Sequence, residues 1–305
     1  MDENRQFSAE LAVSFIIVNY RTPDLVIQCI QSIRQFCLAV PYEIIVVDNH
    51  SQDQSVAQLS QCSGIQLIKN DVNAGFAAAN NRGAAVARGK YLYLLNSDTY
   101  LIHDAVSILF EYMENEAHAD VAICGTDLIN PDRKKQASFG NFPSIRELLF
   151  QFGFDRFFRH YYTDRLSQGV PCLFDTPKVV DFVSGASMFV RSEVYRQLKG
   201  MDEDYFLYFE ETDFAWRAQL QGWKTMLLPA ARVVHLEGGS QVGQTTNNFV
   251  KLANFTRGKE LFFRKNKHWS TAFCARILLM LRLFLAGARR WDRRYFTLAY
   301  RLVQA

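Results

Sequence analysis

Three carboxylates stand within four positions of the stretch YFLYFEETDFAWR, just after a run of aromatic residues: Glu210, Glu211 and Asp213. Acidic side chains that crowd each other beside apolar residues resist losing water, so their pKa values are typically shifted. Such a carboxylate can act as a general base that takes a proton from a hydroxyl group. The alternative is a charged helix N-terminus, where acids are favourable against the helix dipole.

A metal site is predicted upstream, where the stretch LLNSDT places Asn96, Ser97 and Asp98 at the end of an apolar segment. Alternation along a strand puts Asn96 and Asp98 on one side. Oxygen ligands there suit Mg²⁺ or Mn²⁺, which neutralises the charge of a diphosphate. His235, after another apolar segment, would complete the site and favour Mn²⁺. A turn after a strand and a structural histidine are the alternatives.

Nucleotide-binding groups are expected where other apolar segments end, at Asn19 and at Asp48–Asn49. A carboxylate at Asp48 can accept hydrogen bonds from a base or from a ribose hydroxyl. Asn49 and Ser51 can shape the turn or cap a helix. An Asx turn without a ligand explains this segment equally well when it is taken alone.

The segment KNDVNAGFAAANNRG combines small residues with polar ones, among them Asn73, Gly75, Asn80 and Arg82. Small residues let a ligand approach the backbone, and the polar side chains can reach a ribose or a phosphate. The segment matches neither GxGxxG nor GxxxxGK[ST], which argues against a dinucleotide or ATPase site. Close packing of an Ala-rich helix is the structural alternative.

The elements that position these residues alternate between buried-strand and helix patterns over the first hundred residues. The strands are expected at 13–19, 43–48, 65–69 and 91–95, and the helices at 24–36, 53–59 and 75–88. This order predicts an α/β fold whose central sheet is mostly parallel and flanked by helices. Ligands of such sheets bind at the carboxyl ends of the strands. A strand pattern returns over 179–190, around Gly185.

Composition favours a cytosolic protein of one or two domains. The 305 residues are 49% hydrophobic, enough for a large core. The six cysteines are scattered without a CxxC pair, which indicates reduced thiols. The N-terminal stretch MDENRQFSAE is polar and acidic, unlike a signal peptide.

The C-terminal region is basic, with 13 Lys or Arg against two acids in residues 251–305. A basic tail suggests an anionic partner, either phospholipid head groups or nucleic acid. Its apolar part, Ala272–Ala288, contains Arg276 and Arg282, which argues against a transmembrane span. An amphipathic helix in the membrane interface fits better, and a helix packed on the domain is the compatible alternative. Aromatic and basic residues also interleave over 139–174.

Taken in order, seven segments resemble family-2 glycosyltransferases of the GT-A fold. They are VSFIIVNY, EIIVVDNHSQD, N-AGFAAANNRG, YLYLLNSDT, VSGASMFVRSEVY, GMDEDYFLYFEETDFAWR and VVHLEGGS. Together they span residues 13–240 and are most similar to the bacterial rhamnosyltransferase-like enzymes of cell-surface polysaccharide synthesis.

The resemblance implies a role for each matched residue. Asp48 would bind the base or ribose, Asp98 the metal, and Gly185 and Ala186 would line the donor sugar. The pair Glu210–Glu211 matches the family's Glu-Asp pair, whose acidic side chain is the base. Glu211 replaces the more frequent Asp, so Glu210, Glu211 and Asp213 all remain candidates. Glu211 is the preferred one, with Asp213 paired to Arg217 four residues along.

The implied activity is an inverting, metal-dependent transfer of rhamnose or another hexose from a dTDP-, UDP- or GDP-sugar. The implied acceptor is a saccharide linked to undecaprenyl diphosphate. The implied location of the enzyme is peripheral, on the inner face of the cytoplasmic membrane. The expected organisation is a GT-A domain over 1–244, with a nucleotide-binding half (1–100) and an acceptor half (101–244), followed by a basic helical extension over 245–305.

Two alternative functions belong to other classes of protein, and one alternative concerns the binding partner. One is a catalytically degenerate subunit that binds a nucleotide sugar within an assembly complex. A sugar-nucleotide pyrophosphorylase is disfavoured because the expected Gly-rich, Arg-containing N-terminal loop is missing. Nucleic acid is a weaker partner than membrane because no recognised binding module occurs. The oligomeric state stays open, a dimer included.

Overall fold

A computed structural model describes residues 11–150, 152, 169–236 and 248–304. The central sheet has nine strands, with the order β3-β2-β1-β4-β11-β6-β12-β5 and with β9 paired to β12. Their bounds are β1 Val13–Asn19, β2 Tyr42–Asp48, β3 Gln66–Lys69, β4 Tyr91–Asn96, β5 Thr99–Leu101, β6 Val121–Ile129, β9 Lys178–Val180, β11 Ser187–Arg191 and β12 Lys224–His235.

The sheet is mostly parallel, as the sequence predicts. Strands β3, β2, β1 and β4 run in one direction, and β6 and β12 run with each other. Strand β11 lies antiparallel between β4 and β6, while β5 and β9 pair antiparallel with β12. The carboxyl ends of β1, β2 and β4 therefore meet at one edge, which is where the polar residues were expected.

Helices cover both faces of this sheet. Their bounds are α1 Pro23–Phe36, α2 Ser55–Leu59, α3 Phe76–Val86, α4 Ala105–Glu114, α5 Ile145–Phe150, α6 Ser192–Gln197, α7 Glu210–Leu220, α8 Asn248–Asn266, α9 Trp269–Arg290 and α10 Arg293–Gln304. A small second sheet has the order β10-β7-β8, with β7 Ala137–Gly140, β8 Val170–Pro171 and β10 Phe182–Val183.

Side-chain alternation along β1 shows why these segments form buried strands. Phe15 and Ile17 enter one hydrophobic core, on the α1 side, and Ile16 enters the other, against α3. Gly83 of α3 packs so closely on β1 that a Cβ there would lie 2.6 Å from Ile16 Cγ2. Close packing, the structural alternative for the small-residue segment, accounts for this glycine.

The basic extension is helical, and its first helix, α8, is part of the domain's core. Phe262 of α8 packs with Tyr205 and Phe209, which belong to the stretch YFLYFEETDFAWR that contains the three carboxylates. Lys265 forms ion pairs with Asp202 and Asp204, each at 2.5 Å. The boundary predicted near residue 245 therefore separates segments that share one core.

Part of the aromatic and basic segment 139–174, with Arg156, Arg159 and His160, lies outside the described residues.

Candidate functional site

A cavity of about 420 Å³ opens at the carboxyl ends of β1 and β4. Its walls come from four parts of the chain: the strand ends, the start of α3, the loop before α7, and α8. The lining residues are Val18, Tyr20, Asn49, Asn73, Gly75, Phe76, Asn96, Ser97, Asp98, Phe206, Leu207, Tyr208, Val250, Lys251 and Asn254. We call it the donor cavity, because Asn49, Asn73, Gly75, Asn96, Ser97 and Asp98 are among the residues predicted to bind nucleotide or metal.

The two predicted metal ligands lie together. Asp98 is buried, and its Oδ1 is 3.4 Å from Nε2 of His235. Antiparallel pairing places His235 opposite Thr99, next to Asp98 in the chain. Oxygen and imidazole nitrogen are a donor set that Mn²⁺ accepts. Among the residues that the structure describes, no cluster of three or more His, Cys, Asp or Glu surrounds this point. The pair thus fits a cation whose remaining ligands come from diphosphate and water.

Asp48 and Asn19 hold each other at neighbouring strand ends. Asp48 Oδ1 accepts hydrogen bonds from Asn19 Nδ2 at 2.7 Å and from Ser51 Oγ at 2.5 Å, while Oδ2 accepts from Ser51 N at 3.1 Å. Asn19 Oδ1 in turn accepts from Thr22 N at 3.2 Å. Both side chains are buried, and neither lines the donor cavity. Each side chain accepts from the backbone N–H three residues on and so closes a local turn, which agrees with a structural role for this segment. Nucleotide binding by Asp48 stays a prediction.

Asn49 connects β2 to the loop before α3. Its Nδ2 donates to Asn73 Oδ1 at 2.9 Å, and its Oδ1 accepts from Asn70 Nδ2 at 2.9 Å. Gly75 has a φ of +90°, and a Cβ on it would lie 2.5 Å from the carbonyl oxygen of Phe206. Glycine is therefore required here so that the loop before α7 can approach the start of α3.

Asn80 and Arg82 lie away from the donor cavity. Asn80 is buried in α3, where its Nδ2 donates to the carbonyl oxygen of Phe76 at 2.9 Å. Arg82 is exposed and lines a separate open groove with Asp71 and Glu203. Their geometry favours structural and surface roles for these two residues, so their predicted contacts with the donor are not supported by this arrangement.

Gly185 and Ala186 lie between the donor cavity and the acidic cluster. A Cβ at Gly185 would lie 3.7 Å from Glu211 Cβ and 3.7 Å from a ring carbon of Phe76, which lines the donor cavity. The carbonyl oxygen of Ala186 accepts a hydrogen bond from Asn96 N at 3.1 Å. This connection joins β11 to the predicted metal-binding strand end.

A second cavity, of about 160 Å³, contains Glu211. Half of its lining residues are aromatic: Phe139, Phe182, Tyr208, Phe209 and Phe255. We call it the aromatic cavity. Tyr208 also lines the donor cavity, so the two spaces adjoin at this residue. Glu210 and Asp213 line neither of them.

Glu211 has the properties of a general base. Burial raises the pKa of Glu211 to about 7, against the lowering effect of hydrogen bonds from backbone N–H groups and from the Thr212 hydroxyl. Burial, followed by repulsion from Glu211, raises the pKa of Glu210 well above its usual value. A base with a pKa near the working pH transfers protons most effectively. Access to a cavity therefore favours Glu211 over its neighbour.

Asp213 supports the structure, as the spacing with Arg217 predicts. Arg217 Nε donates to Asp213 Oδ2 at 2.7 Å, while Asn266 Nδ2 of α8 and the Tyr205 hydroxyl donate to Oδ1 at 2.8 and 3.4 Å. A buried carboxylate with three donors is held in place and stays away from the cavities. We therefore remove Asp213 from the candidate bases.

The backbone just before Glu210 is strained. Tyr208 and Phe209 have φ values of +72° and +77°, a left-handed conformation that large side chains rarely adopt. Such residues cost about 1–3 kcal/mol each and persist only where the surroundings hold them. This turn directs Tyr208 to the border between the cavities and begins α7 at the acidic pair.

Sequence reasoning missed the part of the donor cavity that comes from the extension. Val250, Lys251 and Asn254 of α8 line it, although the basic tail suggested only an external partner. Lys251 places a positive charge in the wall of a cavity that Asp98 also lines. No local motif marks these residues, because the other residues that line the cavity lie far from them in the chain, between Val18 and Tyr208.

Comparison with known proteins identifies the family of the chain. The model of glycosyl transferase family 2 matches residues 14–188. The chain is 26% identical over 205 residues to the rhamnosyltransferase WbbL of Escherichia coli, covering 64% of this chain and 72% of WbbL. It is 24% identical over 208 residues to an N-acetylglucosaminyl-diphospho-decaprenol L-rhamnosyltransferase of Mycobacterium tuberculosis, covering 64% and 66%.

A solved structure shares the fold at low identity. The mannosyltransferase PcManGT of Pyrobaculum calidifontis, in complex with GDP-Man and Mn²⁺, superimposes with a TM-score of 0.55 and 12% identity, covering 97% of this chain and 75% of that one. The α/β architecture is the GT-A fold, as the resemblance predicts. Because the family model covers more than half of the chain, the protein belongs to glycosyl transferase family 2 and is a glycosyltransferase.

Proposed function

We propose that this glycosyltransferase moves a hexose, with rhamnose as the first candidate, from a nucleoside-diphosphate sugar to a hydroxyl of a lipid-linked saccharide, with inversion at the anomeric carbon. The observation that carries the proposal is the pair of adjoining cavities that share Tyr208 as a lining residue. One is lined by the carboxylate Asp98, and the other by Glu211 with its raised pKa. The sugar of the donor and the acceptor hydroxyl would thus come into contact where the two cavities adjoin.

The reaction follows from this arrangement. Glu211 takes the proton of an acceptor hydroxyl in the aromatic cavity, and that oxygen forms a bond to the anomeric carbon. The bond from this carbon to the diphosphate oxygen breaks on the opposite face, so no covalent enzyme intermediate is needed. A Mg²⁺ or Mn²⁺ held by Asp98 and His235 would stabilise the charge of the departing diphosphate. Lys251 adds a fixed positive charge to the same cavity.

The aromatic cavity suits one sugar ring of the acceptor. Aromatic faces pack on the C–H face of a sugar while a carboxylate accepts from its hydroxyl. The mycobacterial relative is named for an N-acetylglucosaminyl-diphospho-lipid acceptor. An acceptor of that class would bring the reaction to the cytoplasmic face of a membrane, and we place the protein there.

The test is a transfer assay with a panel of dTDP-rhamnose, UDP-glucose and GDP-mannose. The acceptor is a synthetic N-acetylglucosamine 1-diphosphate on a short alkyl chain, with Mn²⁺ present or chelated. We expect metal-dependent transfer from one donor with the anomeric configuration inverted, and loss of transfer in Glu211→Gln. Donor binding in a thermal-shift assay without transfer to any acceptor would instead identify a non-catalytic nucleotide-sugar-binding subunit.

A further inference from the structure

The outward side of α9 carries an unbroken row of exposed apolar residues. The row consists of large side chains that follow one another at three or four positions, except for the adjacent pair Phe284 and Leu285, so the row runs along one side of the helix. Their exposed fractions lie between 44% and 74%, and they are Trp269, Phe273, Ile277, Leu281, Phe284 and Leu285. We call this row the apolar stripe. Exposed apolar surface of this extent marks an interaction site.

Both arginines inside the helix point away from the stripe. Arg276 donates from Nε to Glu260 of α8 at 3.0 Å. Arg282 lines a small cavity between α8, α9 and α10. The opposite face of α9 is buried against the rest of the protein through small and aliphatic residues: Ala275, Leu279, Leu283 and Gly287. The exposed face from Trp269 to Ala288 therefore contains no charged residue.

Basic residues begin where the stripe ends. Four exposed arginines occur within six positions, against the single acid Asp292, and they are Arg289, Arg290, Arg293 and Arg294. Trp291 in their midst is 95% exposed. Trp269 stands at the other end of the stripe, next to His268 and Lys267. Apolar residues bordered by tryptophan and arginine match the acyl chains, the interface and the phosphates of a bilayer surface.

Three other basic residues of the tail form ion pairs within the protein. Lys259 is buried in an ion pair with Glu147, at 2.7 Å. Lys265 pairs with Asp202, and Arg276 with Glu260, as described above. Net charge in the tail thus overstates its attraction for an anionic surface. Beyond the stripe, Arg294 pairs with Asp292 at 2.7 Å and Arg290 donates to the Tyr295 hydroxyl. The surface that faces lipid therefore consists of the stripe with the exposed residues Arg289 and Arg293.

Helix α9 is long and apolar enough to cross a membrane, judged by length and composition alone. Crossing would require breaking the buried contacts of Ala275, Leu279 and Leu283 and exposing the Arg276–Glu260 pair to lipid. Lying flat keeps those contacts and also covers the stripe.

We infer that α9 lies in the plane of a membrane, with the apolar stripe among the acyl chains and with Arg289 and Arg293 on anionic phosphates. One face of α9 then packs in the protein core, and the other face contacts lipid. This inference concerns a surface outside both cavities, so it holds or fails independently of the proposed sugar transfer.

The test is flotation of the full chain with vesicles of phosphatidylcholine, with and without 30% phosphatidylglycerol, in the absence of donor and acceptor. We expect binding that is stronger with the anionic lipid. The triple variant Phe273→Gln, Ile277→Gln, Leu281→Gln should bind at least about tenfold more weakly. Arg289→Gln with Arg293→Gln should lose the preference for anionic lipid. The matched control replaces three exposed apolar residues elsewhere, Leu38→Gln, Leu173→Gln and Val179→Gln, and should bind as the wild type.

Equal binding by wild type and triple variant would overturn the inference, as would the absence of binding by the wild type. Light scattering without lipid provides a further check. A dimer that the triple variant converts to a monomer would show that a second copy covers the stripe, and the inference would be wrong. If the triple variant does not fold, the single substitution Ile277→Gln takes its place. Transfer to a short-chain soluble acceptor should be unchanged in every folded stripe variant.

Discussion

Gly258 of α8 lies directly against the carbonyl oxygen of Tyr208, in the strained turn before the acidic pair. A Cβ at Gly258 would stand 2.7 Å from that oxygen and 2.8 Å from a ring carbon of Phe209. The extension thus holds the left-handed backbone that directs Tyr208 to the border of both cavities. Catalysis would depend on a helix that the motifs of the family domain do not include.

We predict that Gly258→Ala slows transfer at least about tenfold, because α8 or the turn must move by several tenths of an ångström. The binding affinity for the donor should change less, since the strand-end residues of the donor cavity are untouched. Steady-state kinetics together with thermal shift would separate these effects. Arg257→Ala, an exposed neighbour on the same helix, is the control and should behave as the wild type. A wild-type rate in Gly258→Ala would show that the turn does not need this contact.

Glu211→Gln should lower the transfer rate about 100- to 10,000-fold, the usual contribution of a general base. Because the raised pKa of Glu211 is about 7, wild-type activity should rise with pH through that value and level off above it. Glu193→Gln, on the exposed side of α6, is the control. A pH profile that is flat from 5 to 9 would exclude Glu211 as the titrating base.

The same substitution should stabilise the fold at alkaline pH. A carboxyl whose pKa is higher in the folded state than the unfolded value of 4.5 binds its proton more tightly when folded. Its ionisation therefore reduces stability as the pH rises from about 4.5 to about 7. At pH 8 we expect Glu211→Gln to melt at a higher temperature than the wild type, which corresponds to a gain in unfolding free energy on the order of 1 kcal/mol. At pH 4 the variant and the wild type should melt at the same temperature. Equal melting at pH 8 would mean that the carboxylate is well solvated.

Asp98→Asn should abolish the effect of Mn²⁺ on donor binding, because the amide keeps the shape of the carboxylate and loses its charge. Calorimetric titration of the nucleoside diphosphate, with and without Mn²⁺, measures this. His235→Gln should weaken the effect less, since one carboxylate remains. Asp24→Asn, exposed on α1, is the control. Undiminished metal dependence in Asp98→Asn would place the cation elsewhere.

From the sequence we could predict the residues at the strand ends that line the donor cavity, but not the residues of α8 that line it. Asp98 is recognisable because a buried strand and its polar end are local patterns, and strand pairing then brings His235 beside it. The choice between Glu210 and Glu211 needed the structure, since a rotation of about 100° between helix neighbours decides which one meets a cavity. The place of Lys251 in the donor cavity could not be predicted for another reason. Its helix packs on residues that are distant in sequence, and such a contact produces no periodic pattern in the sequence.

The buried ion pair between Lys259 and Glu147 provides a stability test of the same helix. Lys259 Nζ lies 2.7 Å from Glu147 Oε1, both side chains are nearly inaccessible, and burial lowers the pKa of the lysine. Removing one partner leaves a buried charge, so Lys259→Met should reduce the free energy of unfolding by about 3–5 kcal/mol.

Replacing both partners, with Lys259→Met and Glu147→Leu, should restore most of that loss, because two apolar residues leave no charge to desolvate. Urea unfolding at pH 7 measures both variants. Asp120→Asn breaks the exposed pair with Lys224 and, as the control, should cost no more than about 1 kcal/mol. If the single and double variants lost equal stability, the contact of Lys259 with the ring of Phe209, at 6.0 Å, would be the interaction that fixes α8 to the strained turn.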